Sequence, residues 1–312
     1  MDETNFDQLI LRFQSIIRDG IEPRLAGVQL KSVEVDGKSV FLVRVPKSWQ
    51  APHMLSGKVN RFYTRTSAGK HQMDVTEIRA AFELSRDLAA NIQKFRADRI
   101  NRVITGDTPV PLEEKGRVIV HVAPLSAFSA PVSFDVRQFY TKIYGLKLIS
   151  SSPGSSRYNF DGMLSHSGLH NGSAMAYLQL FRNGVIEVVD TYVVMKDQQG
   201  GDALYPQPYE REIKNHLKDY IQFQENLGLA PPFLVSITLT GVRNTVIAVD
   251  GFRRHGTQHP ITEDVLLLPE IVIEDSDFSP GAVLKPIFDV AWQAGGYQES
   301  PNFDSEGKWI GR

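Results

Sequence analysis

The stretch VNRFYTRTSAGKHQMDVTEIRAAF, residues 59–82, decides how the first third of the chain is read. Its opening residues alternate, which predicts a strand over 59–66 with Arg61, Tyr63 and Arg65 on one face and Phe62 and Thr64 on the other. Asp74 and Glu77 stand at capping-box spacing: the aspartate accepts a first-turn amide and the glutamate reaches back. A helix is therefore expected from Val75 to about Ile104, its apolar side carrying Ile78, Phe82, Leu88, Ile92, Phe95 and Val103. Strand and helix together make this segment the end of a small α+β layer.

Upstream, residues 6–17 have helical spacing, with Phe6, Leu9, Ile10, Phe13 and Ile17 on one side. SVEVDGKSVFLVRV reads as a hairpin turning at Asp36-Gly37, and its nearly continuous apolar arm, 40–45, reads as a buried strand closed by Pro46. Residues 49–57 read as a loop. The last turns of the long helix, FRADRINR, are too polar to be buried all round, and bridging two lobes or self-association would account for them. Gly106 and Pro109 end the helix, which sets domains at 1–104 and 105–312.

Beyond that boundary a strand is expected at 118–123 and a helix at 134–143. SSSPGSS, 150–156, has the composition of a mobile loop. AYLQLFRNGVIEVVDTY predicts a hairpin on Asn183-Gly184, and residues 208–227 an amphipathic helix turning Ile213, Leu217, Tyr220 and Leu227 inward. FLVSITLTGV and TVIAVD read as strands and 286–294 as a last short helix. The expected fold is α+β in two lobes, each a mixed or antiparallel sheet packed by helices, joined by the long helix.

Composition narrows the chemistry. The chain has 312 residues, net charge -2 and no cysteine, so disulfides, thiolate catalysis and Cys-based metal sites are excluded. No apolar run approaches the roughly 20 residues of a membrane helix. The opening MDETNFDQLI lacks a signal-peptide pattern, so a cytoplasmic location is expected. Charge is uneven: residues 47–102 hold 11 Lys/Arg against 5 Asp/Glu, and residues 190–312 hold 10 against 18. A basic face on the N-terminal half follows without a basic protein.

Catalytic signatures are missing. There is no G-x-x-x-x-G-K-[ST], no G-x-G-x-x-G after a strand and no G-x-S-x-G. His166/His170 and His255/His259 are spaced alike, yet neither pair has a carboxylate at a helical offset, so no metal and no cofactor is expected. His121 falls inside a strand and reads as packed and hydrogen-bonded, and His53 as an addition to the basic patch. Glu187, Asp190 and Asp161 read as solubilising carboxylates of hairpins and loops. Two guanidiniums flanking a phenol, by contrast, can clamp phosphates and offer a stacking surface, with the 67–70 turn adding amides and an ammonium. The bland reading of the same residues is a solvated edge beside a core.

FLVRVPKSWQAPHML followed by RFYTRTSAGKHQMDVTEIRAAF resembles the closing part of the Alba-like DNA-binding domain shared with Schlafen proteins. Family members carry I-x-V-P-x-S-x-x-P-H and then F-Y-x-R with a later M-x-x-x-E-I-R. Val43, Val45, Pro46, Ser48, Pro52 and His53 match the first element; Phe62, Tyr63, Arg65, Met73, Glu77, Ile78 and Arg79 match the second. The family's opening L-E-F-K strand and A-F-A-N-T-x-G-G turn are missing here. Schlafen-type nucleases carry their acidic residues in that opening half, so their activity does not carry over with the resemblance, which implies a shortened domain and a sheet with an open edge. YLQLFRNGVIEVVD and LLLPEIVIE are similar to the C-terminal region of bacterial proteins that carry this domain.

The reading expected from all this is a non-enzymatic nucleic-acid-associated protein. Lys58, Arg61, Arg65 and Lys70 would hold the backbone of DNA or RNA with little sequence preference, and Tyr63 would stack or pack beside them. The alternatives are a scaffold or interaction subunit, pairing with a second copy or a partner protein through the 75–104 helix or an open sheet edge, and a metal-dependent nuclease.

Overall fold

The computed structural model describes the whole chain except residues 1–5, 26–27, 36, 46–47, 49, 58, 67–68, 130–132, 198–199, 250–258 and 312. It is an α+β protein with several antiparallel sheets packed against helices. Two compact units are present, Met1–Phe95 and Arg96–Arg312, and the division falls inside the long helix.

The first unit begins with helix α1, Phe6–Gly20, and the short strand β1, Ile21–Glu22. Strands β2, Gln29–Val35, and β3, Lys38–Arg44, pair as an isolated antiparallel ribbon, with Gly37 at φ +71° in the turn. Next come β4, Met54–Leu55, β5, Arg61–Thr66, and β6, Gly69–Gln72; with β1 they form a four-stranded sheet of order β1-β4-β5-β6. Helix α2 follows, Val75–Thr105. Its start is the anticipated capping box: Glu77 N–H donates to Asp74 Oδ1 at 2.8 Å and Asp74 N–H to Glu77 Oε2 at 2.9 Å.

One expectation for this unit fails. The apolar arm at 40–45 is not a buried strand: Val40, Leu42 and Val43 are 39%, 49% and 44% exposed. A two-stranded ribbon has no third strand or covering layer to bury both of its faces, so apolar continuity did not translate into burial. Among the described residues of this unit only Pro52 is buried. The Asp36, Pro46 and Trp49 assignments lie outside the described residues.

The second unit has the core. Strand β7, Arg117–Pro124, lies in an eight-stranded sheet with β8, Ser155–Tyr158, β9, Gly162–His166, β12, Ala176–Phe181, β13, Ile186–Asp190, β16, Phe233–Thr240, β18, Val265–Leu267, and β19, Ile271–Ile273. Its order is β18-β16-β7-β13-β12-β9-β8, with β19 also on β16. Between these run the short helix α3, Tyr140–Ile143, the small pair β10, Leu169–His170, and β11, Ser173–Ala174, and a three-stranded sheet of β14, Val194–Lys196, β15, Asp202–Leu204, and β17, Val246–Ile247. Helices α4, Pro206–Asn226, and α5, Pro280–Ala294, complete the unit.

Alternation gives the large sheet two different faces. Val118, Val120, Val122, Val188, Leu178 and Val235 form one core with Ile213, Leu217 and Tyr220 of α4 and Leu284, Ile287 and Phe288 of α5. On the opposite face Ile119, Val189, Tyr177 and Leu164 pack with Ile100 and Val103 from the end of α2. The β12–β13 turn forms where Asn183-Gly184 places it; Gly184 sits at φ +88°, a conformation glycine adopts without strain.

Other expectations for this unit need correction. Ser150 is tied down, its N–H and hydroxyl both donating to Asp190, and residues 155–156 belong to β8. The last helix starts at Pro280, preceded by Ser279 as N-cap, and Pro286 lies inside it. Glu187 and Asp190 are fully buried at 0% exposure rather than solvated.

Candidate nucleic-acid interface

The β5–β6 hairpin brings four of the five anticipated contact residues together; Lys58 lies outside the described residues. Arg61, Tyr63 and Arg65 share a face of β5 by alternation. Register puts Lys70 directly across from Arg65 and Gln72 across from Tyr63, so both join that face. Lys70 Nζ stands 5.5 Å from the centroid of the Tyr63 ring, a cation–π contact that keeps the ammonium over the phenol. Tyr63 is 36% exposed, and Arg61, Arg65 and Lys70 are exposed. Among the described residues no carboxylate forms an ion pair with any of these three cations.

The opposite face of the hairpin does the anchoring. Phe62 meets Phe82 of α2 edge to face, centroids 6.1 Å apart. Met73 N–H donates to Phe62 O at 2.9 Å, and His71 Nε2 lies 2.9 Å from Glu77 Oε1. The His71 hydrogen bond, followed by the Asp74 amide, holds the Glu77 carboxyl below its usual range. The nearby acidic group is thus engaged on the α2 side, and among the described residues no counter-charge pairs with the Arg-Tyr-Arg-Lys face. Glycine at 69, with φ +120°, serves the tight return of the hairpin, so part of the 67–70 segment is strand rather than an anion-binding loop; Ser67 lies outside the described residues. His53 does not join the patch. Its ring Nδ1 lies 2.6 Å from Pro23 O, a bond to the backbone.

Sequence reasoning missed a buried charge cluster in the second unit. Arg99 donates through Nε and Nη2 to the two oxygens of Glu187 at 2.9 and 2.8 Å. Tyr177 hydroxyl and His121 Nε2 reach the same carboxylate at 2.8 and 2.9 Å. Burial pushes the Glu187 carboxyl up, and hydrogen bonds from Arg99 and His121 more than reverse this, bringing it to about 2. In register, Ser236, His121, Glu187 and Gln179 form a polar row across four strands, under the end of α2. The signal was present: Phe95, Arg99 and Val103 recur every four residues, which places Arg99 on the inward stripe.

The other carboxylates are similarly engaged. Asp190 accepts Ser150 N–H, Ser150 hydroxyl and Tyr192 N–H at 2.9, 2.5 and 2.7 Å, and burial raises it against those bonds. Glu210 accepts the Trp292 indole, Ser300 hydroxyl and Asn302 amide at 2.7, 3.0 and 2.7 Å; burial pushes it up to about 7 against these donors. The carboxylates of Glu187, Asp190 and Glu210 are taken up by donors of the fold itself, and among the described residues no group of three or more His, Asp or Glu could hold a metal. His166 is buried with Nδ1 2.6 Å from Ser167 O, while His170 is exposed; His255 lies outside the described residues.

A cleft of about 660 Å³ is lined by Arg117, Lys196, Asp202, Arg243, Thr245 and Asp264 among others. Lys196 pairs with Asp202 at 2.9 Å, and Arg117 donates to Val103 O in the last turn of α2 at 2.5 Å. Charges of both signs line the cleft, and these two bonds are structural ones, so it does not present the convergent groups of a reaction centre.

The chain was compared with protein-family models, curated proteins and solved structures, and nothing matched. Function therefore rests on residues and geometry. Among the described residues no helix is long and apolar enough to cross a membrane.

Proposed function

We propose that this is a non-enzymatic nucleic-acid-associated protein, with the β5–β6 hairpin holding the phosphate backbone of DNA or RNA. The observation that carries this reading is the face on which Arg61, Arg65 and Lys70 surround Tyr63 without a carboxylate partner among the described residues. Guanidiniums bind phosphate oxygens through paired N–H donors, and an exposed phenol adds a stacking surface. Contacts of this kind fix a strand in place without reading its bases, so affinity is salt-dependent and sequence-tolerant. The resemblance of roughly residues 20–85 to an Alba-like, Schlafen-type domain supports the same reading, and a cytoplasmic location belongs with it. Arg61→Glu with Arg65→Glu is expected to weaken binding to unrelated DNA and RNA sequences alike in a low-salt mobility assay. Unchanged binding by a folded double variant overturns the proposal.

A second reading, an interaction subunit, is favoured by a separate observation. In the first unit Leu11 and Ile16 of α1 are 65% and 55% exposed, and the β2–β3 ribbon exposes Val35, Leu42 and Val43. Apolar surface of this kind suits a second copy or a partner protein. Sedimentation at high concentration tests the self-associating form, and a strict monomer counts against it.

A further inference from the structure

The second unit carries an aromatic surface of its own, at the edge of the eight-stranded sheet where β8 has only β9 as a neighbour. Tyr140 of α3 meets Tyr144 edge to face at 5.7 Å and Tyr158 of β8 at 5.3 Å. Tyr144 and Tyr158 are 45% and 46% exposed. Two residues beyond Tyr158, Phe160 is 94% exposed.

That phenylalanine is not on a loose loop. Arg182 donates through Nε to Phe160 O at 3.0 Å and through Nη2 to Asn159 O at 3.3 Å. Its backbone N–H donates to Asp161 O at 2.9 Å, and Gly162 N–H to Asn159 Oδ1 at 2.8 Å. Gly162 has φ +149°, and a side chain there would meet Leu180 O at 2.2 Å, so the close approach requires glycine. The turn is fixed while its largest side chain contacts water, an arrangement that folding alone does not favour. A rigid aromatic held in this way is pre-organised for contact, because little conformational freedom is left to lose on binding.

Charge indicates the partner. Residues 134–182 hold five Lys/Arg against two Asp/Glu, in a half of the chain that is otherwise acidic. Arg137, 80% exposed along its side chain, pairs with Asp135 at 2.7 Å. Arg157, next to Tyr158 in β8, is exposed on the other face of the strand, with one N–H on Pro109 O at 2.9 Å. Of the two acids, Asp161 acts on Arg99 inside the unit. Exposed rings, one of them beside the exposed Arg182, in a segment with an excess of positive charge are the chemistry of a single-stranded nucleic acid, whose unpaired bases stack while its phosphates meet cations. We propose that Tyr144, Tyr158 and Phe160 form a base-stacking platform for a single strand, an inference that rests on the nucleic-acid reading above and specifies the class of ligand.

The test uses the full chain with three probes of equal length: an oligothymidylate, an abasic phosphodiester strand and a DNA duplex. The expected result is binding of oligothymidylate about tenfold or more tighter than of the abasic strand, in line with the usual worth of base–aromatic stacking. Tyr144→Ala with Tyr158→Ala, and separately Phe160→Ser, should erase or reduce that preference. Phe160 is so exposed that its replacement leaves the fold intact, which thermal melting checks. Equal wild-type affinity for oligothymidylate and abasic strand overturns the platform, even where Arg61→Glu with Arg65→Glu still abolishes binding and sustains the proposed function. A base preference that survives all three aromatic substitutions also overturns it. A preference lost in the tyrosine variant but untouched by the arginine reversals sustains the platform and overturns the role of the β5–β6 hairpin.

Discussion

Arg99 in the second unit and Arg61 and Arg65 in the first show the same side chain in two opposite circumstances. Arg99 is 4% exposed and forked onto Glu187, whose oxygens also accept Tyr177 and His121. Arg61 and Arg65 stand exposed on a hairpin face with a lysine and a tyrosine, and among the described residues no acid answers them. A buried guanidinium has to be satisfied within the fold, because an unpaired charge in a poorly polar interior is strongly unfavourable. An exposed one is hydrated, does little for stability and remains available to a ligand. Burial and pairing, rather than residue type, separate the arginine that holds the structure from the arginines that can bind.

The sharpest way to break this comparison is to remove the acid from the buried side. Glu187→Ala leaves Arg99 without its carboxylate, and a loss of about 3–5 kcal/mol is expected in urea unfolding. A loss under about 1 kcal/mol would mean that the cluster is not the closed network described here.

The two buried glutamates extend the comparison through pH, with opposite signs. Glu187 is held down to about 2, so its share of stability is present above the ordinary value of 4.5 and is lost as pH falls from there toward 2. Glu210 is raised to about 7, so the folded state keeps a proton that the unfolded chain has released, and stability falls as pH rises from about 4.5 through 7. Glu210→Gln is expected to remove that fall, which melting curves across pH 4–8 would show. An unchanged pH profile would place the transition on another group.

These side chains also show what could be read from the sequence. Helices α1, α2 and α4, the Asn183-Gly184 hairpin and the Asp74–Glu77 capping box were legible because each rests on local chemistry within a few residues. The helix expected at 134–143, by contrast, is helical only as a 3-10 turn at Val136–Phe139 and the short α3, and the last one begins six residues early, at Pro280 rather than 286. The alternation that groups Arg61, Tyr63 and Arg65 was legible for the same reason, and only pairing could add Lys70 across the strand. Glu187 was misread as a hairpin carboxylate because its partners, Arg99, His121 and Tyr177, come from three other elements up to 88 residues away. The exposed arm at 40–45 failed for the converse reason: its apolar run is local, but whether a layer covers it is not. The Phe160 turn was invisible too, since its clamp depends on Arg182.

On the exposed side the effects on folding are smaller. Tyr63→Ala should weaken nucleic-acid binding several-fold through loss of stacking and of the seat for Lys70, with little change in melting temperature. Reversing Arg61 and Arg65 should move stability by no more than about 0.5 kcal/mol, the usual range for surface positions.

The most direct test is therefore a salt titration of wild type against Arg61→Glu with Arg65→Glu, following affinity for two unrelated oligonucleotides. The wild type should lose affinity steeply with salt, alike for both sequences. The double variant should bind more weakly at low salt, with a slope in log affinity against log salt shallower by about two, one for each phosphate contact removed. Superimposable curves from two equally folded proteins would contradict the role assigned to the β5–β6 face.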